Sequence, residues 1–416
     1  MSDPLLDAIH RTLKGRTQEL IALRRELHAH PELSHDERRT TALLADRLRA
    51  LGFDVRARPE GVGLLADLTP IGLDLGRTVA VRSDIDALPI EELTGLPFAS
   101  TRAGVMHACG HDVHMSCVMG VAEAMSACRD ALPGRVRLIY QHSEEVSPGG
   151  ADEMVAFGAM EGVDAVLGVH CDPVVPVGQI GVRAGAFTAS SDAFTLTVTG
   201  QGGHSARPHQ AIDPVFVGVQ IASALYQLAG RVFDARDPVV IAIGAIQAGR
   251  QHNIIPDALT LKGTARSLSK AHRHEIEPWM RRTIAGLCDT YGAAFTLEIN
   301  PGAPSIINDE GLTRVVERVA VDLLGGAQVH RIDLPSMGAE DFSWYLEHAP
   351  GCMFRLGTAA PDAPRHMLHS PCFNPSEAAI PIGAQILSRA AVAVLRGEGL
   401  EPRAIASKSQ GRRRGP

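Results

Sequence analysis

Three apolar stretches, TVAVRSDIDA (78–87), RVRLIYQHSEE (135–145) and VDAVLGVHCD (163–172), each run into Asp, Glu or His. Their length and β-branched content read as buried strands. The chain around them carries helical spacing, with helices expected over 5–29 and 36–51. Strands alternating with helices predict an α/β fold on a mixed, mostly parallel sheet flanked by helices. In open sheets of this kind, ligands and catalytic groups gather beyond the carboxyl ends of the strands. The polar ends of these three strands are therefore predicted to meet in one crevice.

From about residue 184 the pattern changes. DAFTLTVTGQGGHSARPHQAIDPV reads as a strand, a glycine turn and a helix, and VVIAIGAIQAG and LTLKGTARSL as further strands with helices beside them. This is the pattern of an α+β unit with helices on one face of a compact sheet. We place it at 184–298, inserted into a discontinuous catalytic domain formed by 1–183 and 299–397, which resumes with a helix over 309–324. A chain of 416 residues exceeds what one core usually supports, in keeping with that division. The end, 398–416, mixes Pro, Gly and Ser with a basic cluster and is predicted to be a disordered tail.

Hydrophobic content of 45%, charged content of 21% and a net charge of −7 describe a globular protein and argue against a nucleic-acid partner. No apolar run is long enough to cross a bilayer, and the first residues lack a basic segment followed by an apolar one. The expected compartment is the cytoplasm, with no membrane partner. Seven cysteines without scaffold-like spacing fit a reducing environment.

The segment HACGHDVH (107–114) crowds metal-binding residue types. Cys109 and His111 alternate along a short loop, and thiolate with imidazole suits zinc or a similar divalent ion. By itself the segment reads equally well as a polar loop capping a helix that starts near Asp112. Other candidates add weight: Glu144 and Glu145 end one predicted strand, His170 ends another, and His369 lies in HMLHSPCF. Metal-assisted hydrolysis needs one group on the ion and a second, unligated, to take a proton from the attacking water. Neighbours on an extended segment point in opposite directions, so Glu145 and Glu144 can divide those roles. Asp86, in the DID cluster, suits binding or buttressing the metals.

The segments RRELHAHPELSHDE, VRSDIDALPI, HACGHDVHMS, QHSEEVSPGGADEMV, GQGGHSARPHQAIDP, NIIPDA, GTARS and MGAEDFSWY occur in an order that resembles di-metal amidohydrolases of the aminoacylase type. That group includes hippurate hydrolases, N-acyl-amino-acid amidohydrolases and plant auxin-conjugate hydrolases, within the carboxypeptidase-like metallopeptidases. The resemblance runs from about residue 16 to 396. It implies two divalent ions per subunit, Mn, Zn or Co, held by Cys109, His111, Glu145, His170 and His369. Glu144 would be the general base, and Asp86 would orient a ligand. His204, Asn253 and Arg266 would reach substrate from the inserted unit, a lid of the dimerisation type. His204 would stabilise the developing oxyanion, and Asn253 and Arg266 would receive a free carboxylate. The implied substrate is a small N-acyl amino acid, and a homodimer through the lid is the protein partner the resemblance allows.

Two departures stand out against the family pattern: QHSEE where Gln-Pro-Ala-Glu-Glu is usual, and CDP after the fourth ligand where an apolar residue is common. Both bear on the pocket near the acyl group. The alternatives are a dipeptidase or carboxypeptidase of the same family and a non-catalytic metal-binding homologue. An unligated Glu144 argues against the second.

Overall fold

The computed structural model describes residues 3–72, 76–147 and 149–400. Its larger sheet has eight strands, in the order Asp54–Ala57, Leu64–Leu68, Gly134–Gln141, Arg77–Asp84, Ala165–Pro176, Gly351–Ala359, Ile180–Val182 and Val329–Arg331. The four strands from Gly134–Gln141 to Gly351–Ala359 are parallel. Antiparallel pairings flank this centre on both sides. The sheet is therefore mixed with a parallel heart, and both of its faces are covered, which is why the central strands read as continuous apolar runs.

Alternation along Arg77–Asp84 shows how the layers divide. Val79 and Val81 face a core with helices Pro4–Ala29, His111–Ala127 and Ala379–Leu395, while Ala80 faces a second core with Met154, Phe342 and Tyr345. These three helices approach closely at Gly120, where an added Cβ would lie 2.6 Å from the Cβ of Ala384. Asp3 starts Pro4–Ala29 by accepting the Leu5 N–H at 3.0 Å.

The smaller sheet has four antiparallel strands in the order Val239–Ala248, Ala258–Ser267, Asp192–Thr199 and Ala294–Asn300. Helices Pro214–Arg231 and Lys270–Tyr291 cover it and close a separate core around Leu196, Ile221, Leu261 and Met280. This is the inserted α+β unit, and its last strand runs past 298 to Asn300. Most of the predicted tail, residues 401–416, lies outside the described residues. Among the described residues no helix is long and apolar enough to cross a membrane.

Candidate metal centre and active site

The crevice forms beyond the parallel strands, though not quite as the strand ends predict. Gly134–Gln141 stops short of Glu144 and Glu145, so the two glutamates stand on a loop and not on a pleat. Ser143 turns the chain there with φ +54°, and three contacts hold the turn. Its N–H donates to Glu37 Oε1 at 2.8 Å, its Oγ accepts the His35 N–H at 2.8 Å, and Glu145 N–H donates to Asp86 Oδ2 at 3.0 Å. His170 lies inside Ala165–Pro176, which continues beyond it. The helix predicted near Asp112 begins one residue earlier, at His111, so that ligand candidate belongs to its first turn.

His35, Ser143 and His369 are the non-glycine residues with left-handed backbone among the described residues. All three lie at or beside the crevice. Such strain persists where surrounding structure fixes it, and it concentrates at functional sites.

Cys109, His111 and Glu145 offer ligand atoms that all lie within 4.8 Å of one another. His170 Nε2 is 3.7 Å from Cys109 Sγ, and His369 Nε2 is 3.4 Å from Glu145 Oε1. The structure thus brings the five predicted ligands together. Glu144 is beside them, its Oε2 4.0 Å from His111 Nε2. Two imidazoles are oriented by carbonyl acceptors: His111 Nδ1–H donates to Asp86 O at 2.9 Å, and His170 Nδ1–H donates to Cys171 O at 2.8 Å. A carbonyl can only accept, so both rings carry their proton on Nδ1 and present Nε2 to the centre.

The bare cluster is electrostatically incomplete. His111 Nε2, Glu145 Oε1 and Asp86 Oδ1 are buried without a hydrogen-bond partner. Burial, with the charges of Glu145, Glu144 and Asp84, pushes the Cys109 thiol well above its ordinary range. Divalent cations would satisfy the orphaned atoms and draw out the thiolate, so these residues fit a metal pair. Burial, reinforced by Glu340, Glu145 and Asp341, also raises Glu144 well above the usual carboxylate range.

Sequence reading passed over Asp84, although VRSDIDA sets Arg82, Asp84 and Asp86 at the two-residue period of one strand face. Asp84 is fully buried, accepts from His114 Nδ1 at 2.7 Å and lies 3.7 Å from His111 Nε2. Glu340 and Asp341, within MGAEDFSWY, likewise carry no local signal of a role. They group with Glu144 on the same wall.

The three residues assigned to the inserted unit separate. Arg266 lines a cavity of about 420 Å³ together with Glu144, Glu145, Asp341, Trp344 and His369, and its Nη1 donates to Met337 O at 3.0 Å. His204 and Asn253 do not line that cavity. They sit side by side on the unit's own two-stranded ribbon, where Gly203–His204 pairs with Ile254–Ile255 and Ser205 N–H donates to Asn253 O at 3.2 Å. Both are exposed. A larger cavity, about 950 Å³ near Arg77, Asp309 and Arg318, touches none of the candidates, so volume alone does not mark the site.

Fold and site together define a metal-dependent amidohydrolase that takes two divalent ions. The chain belongs to peptidase family M20/M25/M40, whose pattern matches residues 80–393. It is 41% identical over 343 residues to thermostable carboxypeptidase 1 of Saccharolobus solfataricus, covering 82% of this chain and 86% of that protein. It is 39% identical over 306 residues to an N-acyl-L-amino acid amidohydrolase of Geobacillus stearothermophilus, covering 73% and 82%. Among solved structures, the Bacillus subtilis YxeP protein, described as a dinuclear metal-binding peptidase of the M20 family, superposes with a TM-score of 0.81 at 34% identity, covering 92% of this chain and 99% of that one.

Proposed function

We propose that the chain hydrolyses the amide bond of N-acyl amino acids, releasing a carboxylic acid and a free amino acid. The observation that carries this reading is the position of Arg266, a guanidinium from the inserted unit on the wall of the cavity that holds Glu144 and the candidate ligands. A fork of N–H donors suits the free carboxylate of an amino-acid leaving group. Cys109, His111, Glu145, His170 and His369 would hold the two ions, with Mn, Zn and Co as the candidates the donor set admits. When bound, such ions acidify a water and polarise the scissile carbonyl. Glu144, unligated and raised by its surroundings, takes the proton from the attacking water and returns it to the departing amine. Asp86 holds His111 and the Glu145 loop in register.

His204 and Asn253 reach substrate in this reading only when the inserted unit moves as a lid about the crossings near 184 and 300, excluding water as it closes. A homodimer through that unit is supported by Phe216, Val219 and Tyr226, exposed on one face of Pro214–Arg231, and by Ile246 on the sheet edge. A cytoplasmic location fits the seven free cysteines, six of them buried.

A peptidase reading is favoured by the carboxypeptidase relative, and Arg266 would serve a peptide's terminal carboxylate equally well. Turnover of N-acetyl and N-benzoyl amino acids beside the matching dipeptides separates the two. For the wild-type enzyme, each acid should be turned over far better than its amino-acid amide, which keeps the scissile bond and lacks the charge. Arg266→Ala should raise KM for the acids and leave the amides nearly unchanged. Equal turnover of acid and amide by the wild type would refute carboxylate recognition.

A further inference from the structure

A buried polar chain that the proposed chemistry does not use links the two sides of the site. At its centre is Arg82, 1% exposed and enclosed by the sheet and the second core. Its Nη1 donates to Asp84 Oδ2 at 2.7 Å, Nη2 to Asp341 Oδ1 at 2.8 Å and Nε to Gln141 Oε1 at 2.8 Å, and Nη2 forms an ion pair with Glu340 Oε1 at 3.0 Å. Gln141 in turn donates to Asp341 Oδ2 at 2.6 Å and accepts from the Tyr345 hydroxyl at 3.1 Å. On the other side, Asp84 accepts His114 Nδ1–H at 2.7 Å, and His114 Nε2 accepts the Cys171 N–H at 2.8 Å. That peptide group joins Cys171 to His170. The chain thus runs unbroken from the acidic wall behind Glu144 to the backbone carrying a metal-ligand candidate.

We propose that Arg82 is a positioning residue that sets the metal cradle and the wall behind the base at a fixed separation. Its planar fork places donors on Asp84 and Asp341 in two directions at once, which a lysine ammonium, a point charge on a flexible stem, does not reproduce. Asp84 passes that constraint to His111 and His114, while Asp341 and Glu340 pass it to Glu144. The inference rests on the two-metal reading of the site but not on the identity of the substrate.

The test uses the full chain, stripped of metal and titrated with manganese(II) by calorimetry, beside kcat and KM on the best available substrate and thermal unfolding. Arg82→Lys is expected to unfold cooperatively near the wild-type temperature and bind manganese roughly 10- to 100-fold more weakly, the range for lost outer supports of a metal site. Its kcat should fall by a similar factor with KM within about threefold. A folded Arg82→Lys protein with wild-type manganese affinity and kcat would overturn the proposal. If that variant does not fold, Asp341→Asn decides, because the hydrogen-bond partners of Asp341 are Arg82, Gln141 and the Ala151 N–H, none of them among the five ligand candidates. Manganese binding weakened at least about threefold supports transmission through Arg82, and unchanged affinity overturns it. The calorimetric arm needs no substrate, so a wrong substrate assignment leaves it standing.

Discussion

At the scale of single residues, the adjacent glutamates are separated by their partners. Glu145 lies 3.4 Å from His369 and within the Cys109–His111 cluster, whereas Glu144 leans toward Glu340 and Asp341. Glu144→Gln keeps the shape and cannot take a proton, so kcat should fall by roughly 10²–10⁴ with metal content nearly unchanged. Glu145→Gln should lose metal instead, and reversed behaviour in metal analysis would show the roles to be swapped. Next to His111 in the chain, Asp112 accepts from Arg24 Nε at 2.7 Å and His28 Nδ1 at 2.9 Å, with all three side chains fully buried. Removing one partner of a buried ion pair strands the other, so Asp112→Asn should cost about 3–5 kcal/mol in urea unfolding. Burial favours the neutral Asp112 carboxyl, but Arg24 and His28 outweigh it and hold the group below its unfolded value of 3.8. Its support is therefore present above about 3.8 and lost as pH falls. His28, which burial would lower, is raised above 6.5 by Asp112 and Glu92, so its share is full below 6.5 and lost as pH rises through the native value. The wild type should lose stability on acidification below about 4, and Asp112→Asn should lose less over that range.

At the scale of elements, the helix His111–Ala127 acts through its first residue. Gly110 precedes it with φ +92°, and a Cβ there would meet Cys171 Sγ at 2.9 Å, so the turn between Cys109 and His111 requires glycine twice over. Gly110→Ala should cost about 1–3 kcal/mol of backbone strain and weaken metal binding more than a destabilised helix elsewhere would. Metal titration alongside thermal unfolding checks both. If affinity is kept while stability falls, the turn is a folding device only. The loop of Glu144 and Glu145 shows what strand prediction misses. QHSEE continues an apolar strand in sequence, but the pleat ends at Gln141 because Glu37, His35 and Asp86, all distant along the chain, supply the contacts that fix Ser143 in a left-handed turn.

At the scale of the whole molecule, the inserted unit brings Arg266 to the metal cleft and leaves His204 and Asn253 outside it. The same unit exposes Phe216, Val219 and Tyr226 at 48%, 53% and 52%, and Phe216 packs edge-on against Tyr291 at 5.0 Å between ring centroids. An apolar row of this kind on a helix is expected to pair two copies. Light scattering should give twice the chain mass, and Val219→Glu, at an exposed position, should give a monomer that unfolds as the wild type does. A wild-type monomer at micromolar concentration would remove this surface from consideration.

The sequence by itself determined the layers and the inserted unit, because those rest on local signals, periodicity of two or 3.6 and turn residues, while ordered motifs named the candidate ligands. Cys109, His111, Glu145, His170 and His369 are legible as candidates from those motifs, and the structure places them side by side. Only the tertiary structure decided that the two glutamates stand on a strained loop, that Arg266 enters the cavity while His204 does not, and that Arg82 lies between Asp84 and Asp341. Each of these depends on contacts between residues far apart in the chain, such as Arg82 with Asp341, whose pairing no local pattern encodes. A buried guanidinium must find its carboxylates wherever the fold puts them, since leaving it unpaired in a low-dielectric core costs several kcal/mol.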